Sequence, residues 1–350
     1  MANGIRDVWR ILGPGLITGA ADDDPSGIAT YSQAGAQFGY ALTWTMFLTL
    51  PFMAAIQIIS ASIGWATGEG LSRAIGQRLP RSVLLALVAL LVIANTANIT
   101  ADLAAMGEAL RLVIGGPAVA YAIGFGIACL TAEVLIPYHT YAGYLKLLTF
   151  VLFVYVAAAF SVHVPWSTVL HDTLLPSFTP NRDALLTIVA VFGTTISPYL
   201  FFWQAAQALK PIAGAFTFAL FAAGIIGTGL LAVPVLAGSA AYGLADAFRI
   251  RGSLEMPASR AIGFYAIVTA ATCAGAVLTL SKIDPITMLF WTAVLNGVIA
   301  VPIMLAMMLV VSGKHEKLKL PRWLKVLGWL AAALMAVAVA LLLWSEFAGR

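Results

Sequence analysis

Ten stretches of nearly unbroken apolar sequence, each of about 20 residues or more, restrict this chain more than any other feature. They lie near 11–36, 42–67, 83–112, 118–136, 143–162, 184–209, 212–246, 261–280, 286–312 and 326–346. In a hydrocarbon solvent the backbone polar groups of such a run are satisfied only within the run itself, so these segments cross as helices and not as strands. Composition agrees: of 350 residues, 61% are hydrophobic and 10% charged, against about 25% charged in a soluble chain. An all-α polytopic membrane protein follows, with the lipid bilayer of the cell's inner (plasma) membrane as its surroundings. The net charge of +4 comes from Lys and Arg gathered in a few loops. It is an orientation signal and implies no nucleic-acid partner. With no low-complexity segment and no long linker, 1–350 reads as a single transmembrane domain.

Two runs are broken at mid-depth. The first contains Asp22-Asp23-Asp24-Pro25-Ser26-Gly27, the sixth Gly193-Thr194-Thr195-Ile196-Ser197-Pro198-Tyr199. Proline removes a helix donor and clashes with the preceding turn, while glycine tolerates non-helical backbone. Unwound backbone survives at membrane depth only where it lines a cavity or packs against protein. First and sixth are equivalent positions in a fold of two five-helix repeats, and paired breaks of this kind point to a secondary transporter with its site between the repeats.

Asp24 is the leading site candidate. A carboxylate at mid-membrane costs at least about 2.5–3.5 kcal/mol, which a cation held between the breaks would offset. The plainer reading makes Asp24 the N-cap of a half-helix starting at Pro25, and the two are compatible. Asp22 and Asp23 add negative potential at the cavity mouth, or are solvated charges at a break. Thr194, Thr195 and Ser197 offer hydroxyls and freed carbonyls, unless they only bond back to the preceding turn. Asp102, among Asn95, Asn98 and Thr100, is expected to line the pathway. Asn296 either does the same or bonds helix to helix. Glu69, Glu108 and Glu133 lie nearer span ends and are assigned to membrane interfaces. The four histidines are scattered, and Cys129 and Cys273 offer neither a disulfide framework nor zinc spacing. There is no nucleophile–base constellation, so no enzyme reading and no resident cofactor. An all-oxygen donor set suits Mg2+, which keeps several waters beside one or two carboxylates; sulfur would favour Mn2+ or Fe2+.

Gly13-Pro14-Gly15, Asp24-Pro25-Ser26-Gly27, Thr100-Ala101-Asp102-Leu103-Ala104 and Ser197-Pro198 resemble the NRAMP family of divalent-metal transporters. The resemblance implies a leucine-transporter-type 5+5 inverted repeat, with repeat one over about 11–163, repeat two over about 184–312, and an extra C-terminal helix at 326–346. It also implies alternating access around a metal site at the two breaks. There Gly27 stands where the family has a ligand asparagine, Ser197 at its methionine and Tyr199 at its histidine. Ala105 replaces a second acid of the third helix, and 261–280 holds no arginine. These departures resemble the divergent magnesium branch, which lacks proton coupling. By the same matching, the carbonyls of Ala21 and Thr194, together with Asn296, join Asp24, Gly27 and Ser197 as site members.

The family's seventh helix has no counterpart between Gln207 and Pro211. Charge tests this independently. Arg6 and Arg10 place the N-terminus in the cytoplasm, and Arg73, Arg78 and Arg81 place the second loop there too. Ten crossings would then put Arg249, Arg251, Arg260 and the cluster Lys314–Lys325 outside. Loss of one helix, or a re-entrant or twice-crossing path for 212–246, resolves the conflict; loss is the favoured account. The leading expectation is a Mg2+-favouring divalent-cation transporter without proton coupling. The alternatives are a proton-coupled Mn2+/Fe2+ transporter, an amino-acid symporter of the same fold, and a non-transporting remnant.

Overall fold

The computed structural model describes residues 24–137, 140–141, 148, 165–176, 181–197, 220–281, 283–313, 318 and 320–348, with backbone only for 220–224 and 346–348. Among these the secondary structure is helical throughout. The helices are α1 (Pro25–Phe38), α2 (Trp44–Thr67), α3 (Leu71–Gly76), α4 (Arg81–Ile114), α5 (Ala118–Leu135), α6 (Trp166–Leu174), α7 (Arg182–Thr195), α8 (Leu220–Phe248), α9 (Ile262–Leu278), α10 (Pro285–Ser312) and α11 (Arg322–Ala348). Six of them (α2, α4, α5, α8, α10 and α11) are long and apolar enough to cross a membrane. The expected span at 143–162 apart from Leu148, the first half of 11–36 and the stretch 198–219 lie outside the described residues.

Helix ends follow local chemistry. Asn181 caps α7 by accepting from the Ala184 N–H at 2.8 Å, and Asp284 caps α10 by accepting from the Thr287 N–H at 2.9 Å, with Pro285 at the first helical position. Gly68, at φ 67°, closes α2 in the left-handed conformation. The two helices at the breaks, α1 and α7, have 14 residues each. At 1.5 Å per residue each covers about 21 Å, short of the roughly 30 Å hydrocarbon core. They are half-helices, as the Pro-containing breaks predict.

The long helix α4 is the hub, packed by α8, α5, α10 and α9, while α10 carries α7, α11 and α1 on its other sides. Burial separates core from rim: 78% of the apolar window of α8 is enclosed by protein, against 22% for α5. The outer sides of α2, α5 and α11 present Phe47, Ile127 and Trp344, as lipid-facing surface requires.

Two cavities define the ends of the bundle. One, of about 480 Å3, is lined by Glu69, Arg73, Gln77, Arg81, Asp246 and Arg249. It brings the ends of α2 and α8 beside the start of α4. Gly313, at the end of α10, lies against the Arg78 guanidinium. This basic face therefore gathers Arg73, Arg78, Arg81 and Arg249. The second cavity, of about 520 Å3, opens on the opposite face between α1, α4, α10 and the start of α8, where Gln33, Glu108, Arg111, Ile225 and Asp284 meet.

These positions bear on the conflict between the crossing count and the charges. Arg249 sits beside Arg73 and Arg81, not across the membrane from them. Nor is 212–246 re-entrant over its described part, because α8 is one continuous helix from Leu220 to Phe248 with Pro234 inside it. It starts on the face opposite the arginines and ends among them. The connection from Ser197 to Leu220 lies outside the described residues.

Candidate functional site

At the first break the chain is extended at Asp24 (φ −67°, ψ 172°) and becomes helical at Pro25. The Asp24 Oδ1 accepts from the Gly27 N–H at 2.8 Å and from the Ser26 hydroxyl at 2.6 Å. The capping reading thus holds. It does not exclude the other, because the carboxyl is only 2% exposed and a buried carboxylate needs more than a cap to offset its desolvation.

At the second break α7 ends at Thr195, and the Ile196 N–H closes the last turn on the Phe192 carbonyl at 2.8 Å. The Ser197 hydroxyl donates to the carbonyls of Thr194 (2.7 Å) and Gly193 (3.0 Å). That is the back-bonding foreseen as the plainer reading. It also spends the hydroxyl hydrogen on backbone, so the oxygen can only accept or coordinate.

The two breaks meet. Ser26 Oγ, bonded to Asp24, is 3.4 Å from Thr194 Oγ1. One turn along α1, the Tyr31 hydroxyl is 2.9 Å from Thr195 Oγ1. Thr195 gives its hydrogen to the Val191 carbonyl, so Tyr31 is the donor in that contact. Asp24, Gly27, Thr194 and Ser197 are all buried within this junction. The cavity on the opposite face reaches down to Pro25.

Gly193 allows the approach that positions the second break. A Cβ there would fall inside contact distance of the Ala293 carbonyl and the Gly297 N–H, and 2.7 Å from Gly297 Cα. α7 and α10 therefore cross backbone on backbone, one residue before Thr194.

Asn296 is committed to a partner. Its carbonyl accepts from the Asn98 amide at 2.9 Å, and its own amide donates to Asn98 at 3.2 Å, tying α10 to α4. The helix-to-helix alternative is realised, while the residue's place in a metal shell rests on the family resemblance. Asp102 is fully buried, neither oxygen has a hydrogen-bond partner among the described residues, and it lies within electrostatic reach of Asp24. Ala21, Asp22, Asp23 and Tyr199 lie outside the described residues. Among the described residues no three His, Cys, Asp or Glu side chains come together as a metal cluster, so the junction combines one carboxylate with neutral oxygens.

The interface assignment holds for two glutamates and fails for the third. Glu69 accepts from Gln77 at 2.7 Å on the basic face, and Glu108 pairs with Arg111 at 2.8 Å beside the opposite cavity. Glu133 is instead 2% exposed, with neither oxygen partnered among the described residues. Nearness to the span's end was misleading because protein, not headgroups, covers that face. A periodic signal was present: Ala122, Gly126, Cys129 and Glu133, at helical spacing, are the buried residues of α5.

With this geometry in hand, comparison with known proteins gives a consistent answer. The family model described as Natural resistance-associated macrophage protein-like (Nramp) matches residues 15–207 and 204–345. The Divalent metal cation transporter MntH of Verminephrobacter eiseniae is 33% identical over 198 residues, covering 54% of this chain and 44% of that protein. The protein of the same name from Mycobacterium tuberculosis is 30% identical over 199 residues, covering 56% and 46%. The chain thus spans about half the length of the curated relatives it matches. The solved structure of the Eremococcus coleocola manganese transporter, in complex with an aromatic bis-isothiourea compound, superposes with a TM-score of 0.57 at 18% identity, over 95% of this chain and 85% of that one. That likeness shows the fold, the leucine-transporter type with its two broken helices. The chain belongs to the Nramp family.

Proposed function

We propose that this protein carries a divalent metal ion across the membrane, with Asp24 as principal ligand and the Thr194 carbonyl and Ser197 oxygen facing it. The Gly27 and Ala21 backbone and Asn296 complete the surroundings, while Asp22, Asp23, Asp102 and Tyr199 line the approach. One observation carries the reading: a capped, buried carboxylate joined through Ser26 to Thr194 across a 3.4 Å contact, so that both breaks converge on one acid. The basic face is cytoplasmic by the positive-inside rule, the N-terminus lies on that side, and the 520 Å3 cavity is the outer vestibule. On this reading the family's seventh helix is missing between Gln207 and Pro211.

Mg2+ is favoured because the donors at the junction are oxygens and Ser197 replaces a sulfur ligand. Uptake runs down the membrane potential, worth about 2.3 kcal/mol per charge per 100 mV, without obligatory proton movement, since Ala105 stands where the family has an acid that helps carry protons. The sequence relatives are named only as divalent metal cation transporters and the solved neighbour as a manganese transporter, and transport decides. In proteoliposomes Mg2+ uptake proceeds without acidification, and Asp24→Ala abolishes it. Proton flux that tracks metal flux overturns the uncoupled mechanism. Mn2+ uptake with Mg2+ excluded overturns the metal preference, and binding without flux identifies a non-transporting remnant.

A further inference from the structure

Glu133 takes no part in the divalent site, yet it is as deeply enclosed as Asp24. Taking a carboxylate out of water costs several kcal/mol unless a partner is provided, and the protein provides none among the described residues. The helices packed against α5 are α4, α9 and α8. The basic groups of α4 are Arg81 and Arg111, at its two ends; α9 and α8 contain none, and Arg249 follows α8 at the membrane face. The titratable groups near Glu133 are themselves acids: Cys129 on its own helix, which also senses Asp102 on α4, and Tyr265 on α9. On α8 the only carboxylate is Asp246, held at the basic face by Arg73 at 3.7 Å. Among the described residues, then, no basic side chain is placed to compensate the charge, and solution can supply it.

The route is short. Glu133 lies two residues before the end of α5, and the Tyr265 hydroxyl beside it donates to the carbonyls of Leu254 (3.2 Å) and Met256 (3.1 Å), in the loop after α8 on the basic face. Thr272 Oγ1 on α9 is a second buried oxygen without a hydrogen-bond partner among the described residues. Unlike Asp24, which has the Ser26 hydroxyl and the Gly27 N–H on its carboxylate, Glu133 has no hydrogen-bonded neighbour among the described residues, so a charge of +1 is enough to neutralise it. We propose that Glu133 is a second cation-accepting site, which takes a monovalent positive charge (a proton or an alkali-metal ion) from the basic face, independently of the divalent ion at Asp24.

The test uses the full chain in detergent, with thermal unfolding followed in two arms. In one, pH is lowered at constant choline chloride; in the other, Na+ replaces choline at constant pH. The wild-type midpoint is expected to rise in one arm, which identifies the charge as proton or alkali ion. Glu133→Gln loses that rise but keeps the rise with Mg2+, and Asp24→Ala does the reverse. Failure of the Mg2+ response alone thus bears on the divalent reading and not on this one. The proposal is overturned if Glu133→Gln keeps the monovalent response, if Asp24→Ala abolishes it, or if the wild type shows none. Should Glu133→Gln fail to fold, an infrared carboxyl-stretch change in wild type on the same steps, retained in Asp24→Ala, reads the site directly, and its absence overturns the proposal.

Discussion

Replacing Gly193 by alanine adds one methyl group at the tightest point of the second break. The new Cβ would lie 2.7 Å from Gly297 Cα, where ordinary contact begins at 3.4 Å, and closer still to the Ala293 carbonyl and the Gly297 N–H. α7 must therefore lift from α10 by at least about 0.7 Å, the difference between those two distances. All three obstructing atoms are backbone, so no rotamer change relieves the clash. Overpacking costs about 1–3 kcal/mol, and a site without a movable neighbour belongs at the upper end. At about 2–4 °C per kcal/mol, the melting midpoint in detergent should fall by roughly 5–10 °C. Because Thr194 is the next residue, the 3.4 Å contact to Ser26 should open and metal uptake should fall with it. Gly35→Ala is the control: it sits in α1 with nothing within 4 Å of the added carbon and should gain up to about 0.5–1 kcal/mol. Equal melting of Gly193→Ala and wild type would refute the close crossing of α7 and α10.

Three further outcomes are expected. Asp24→Asn, which caps as well as aspartate, should melt no lower than metal-free wild type yet lose all Mg2+-dependent stabilisation, whereas Asp24→Ala should lose about a further 1 kcal/mol with the cap; identical melting of the two variants would deny the capping role. Asn98→Ala leaves the buried Asn296 amide unpaired and should cost about 1–3 kcal/mol; a double-mutant cycle with Asn296→Ala should show coupling above about 0.5 kcal/mol, and strict additivity would contradict the pair. Reporter fusions at Arg251 and Lys317 should both signal from the cytoplasm, and a signal from the other side at either position would contradict the common basic face.

The breaks were legible in the sequence because proline and glycine act locally: Pro25 and the Gly193–Pro198 stretch announce where helix stops whatever surrounds them. Asp24 stood out for a similar reason, since a charge in an apolar run is costly wherever it points. Partnerships were not legible. Nothing local links Asn98 to Asn296, and only the packing of α4 on α10 chose between the two readings of Asn296. Glu133 was misplaced because distance along a span was taken for depth in the bilayer, although the small residues Ala122, Gly126 and Cys129 already marked the covered face. The side from which a span enters was not legible either: an apolar run shows that a segment enters the membrane, not from which side. The long run at 212–246 concealed that its described part, from Leu220 on, starts opposite the arginines.

The Asn98–Asn296 pair also bears on how the bundle behaves as its surroundings change. Both partners are uncharged amides sealed from water, so the clasp between α4 and α10 neither loosens in acid nor weakens in brine, unlike the ion pair of Arg73 with Asp246 at the rim. In the carrier proposed above, whatever rearrangement would expose the junction to alternate sides of the bilayer, these two helices should travel together, and the hinges are to be sought in the segments that flank them.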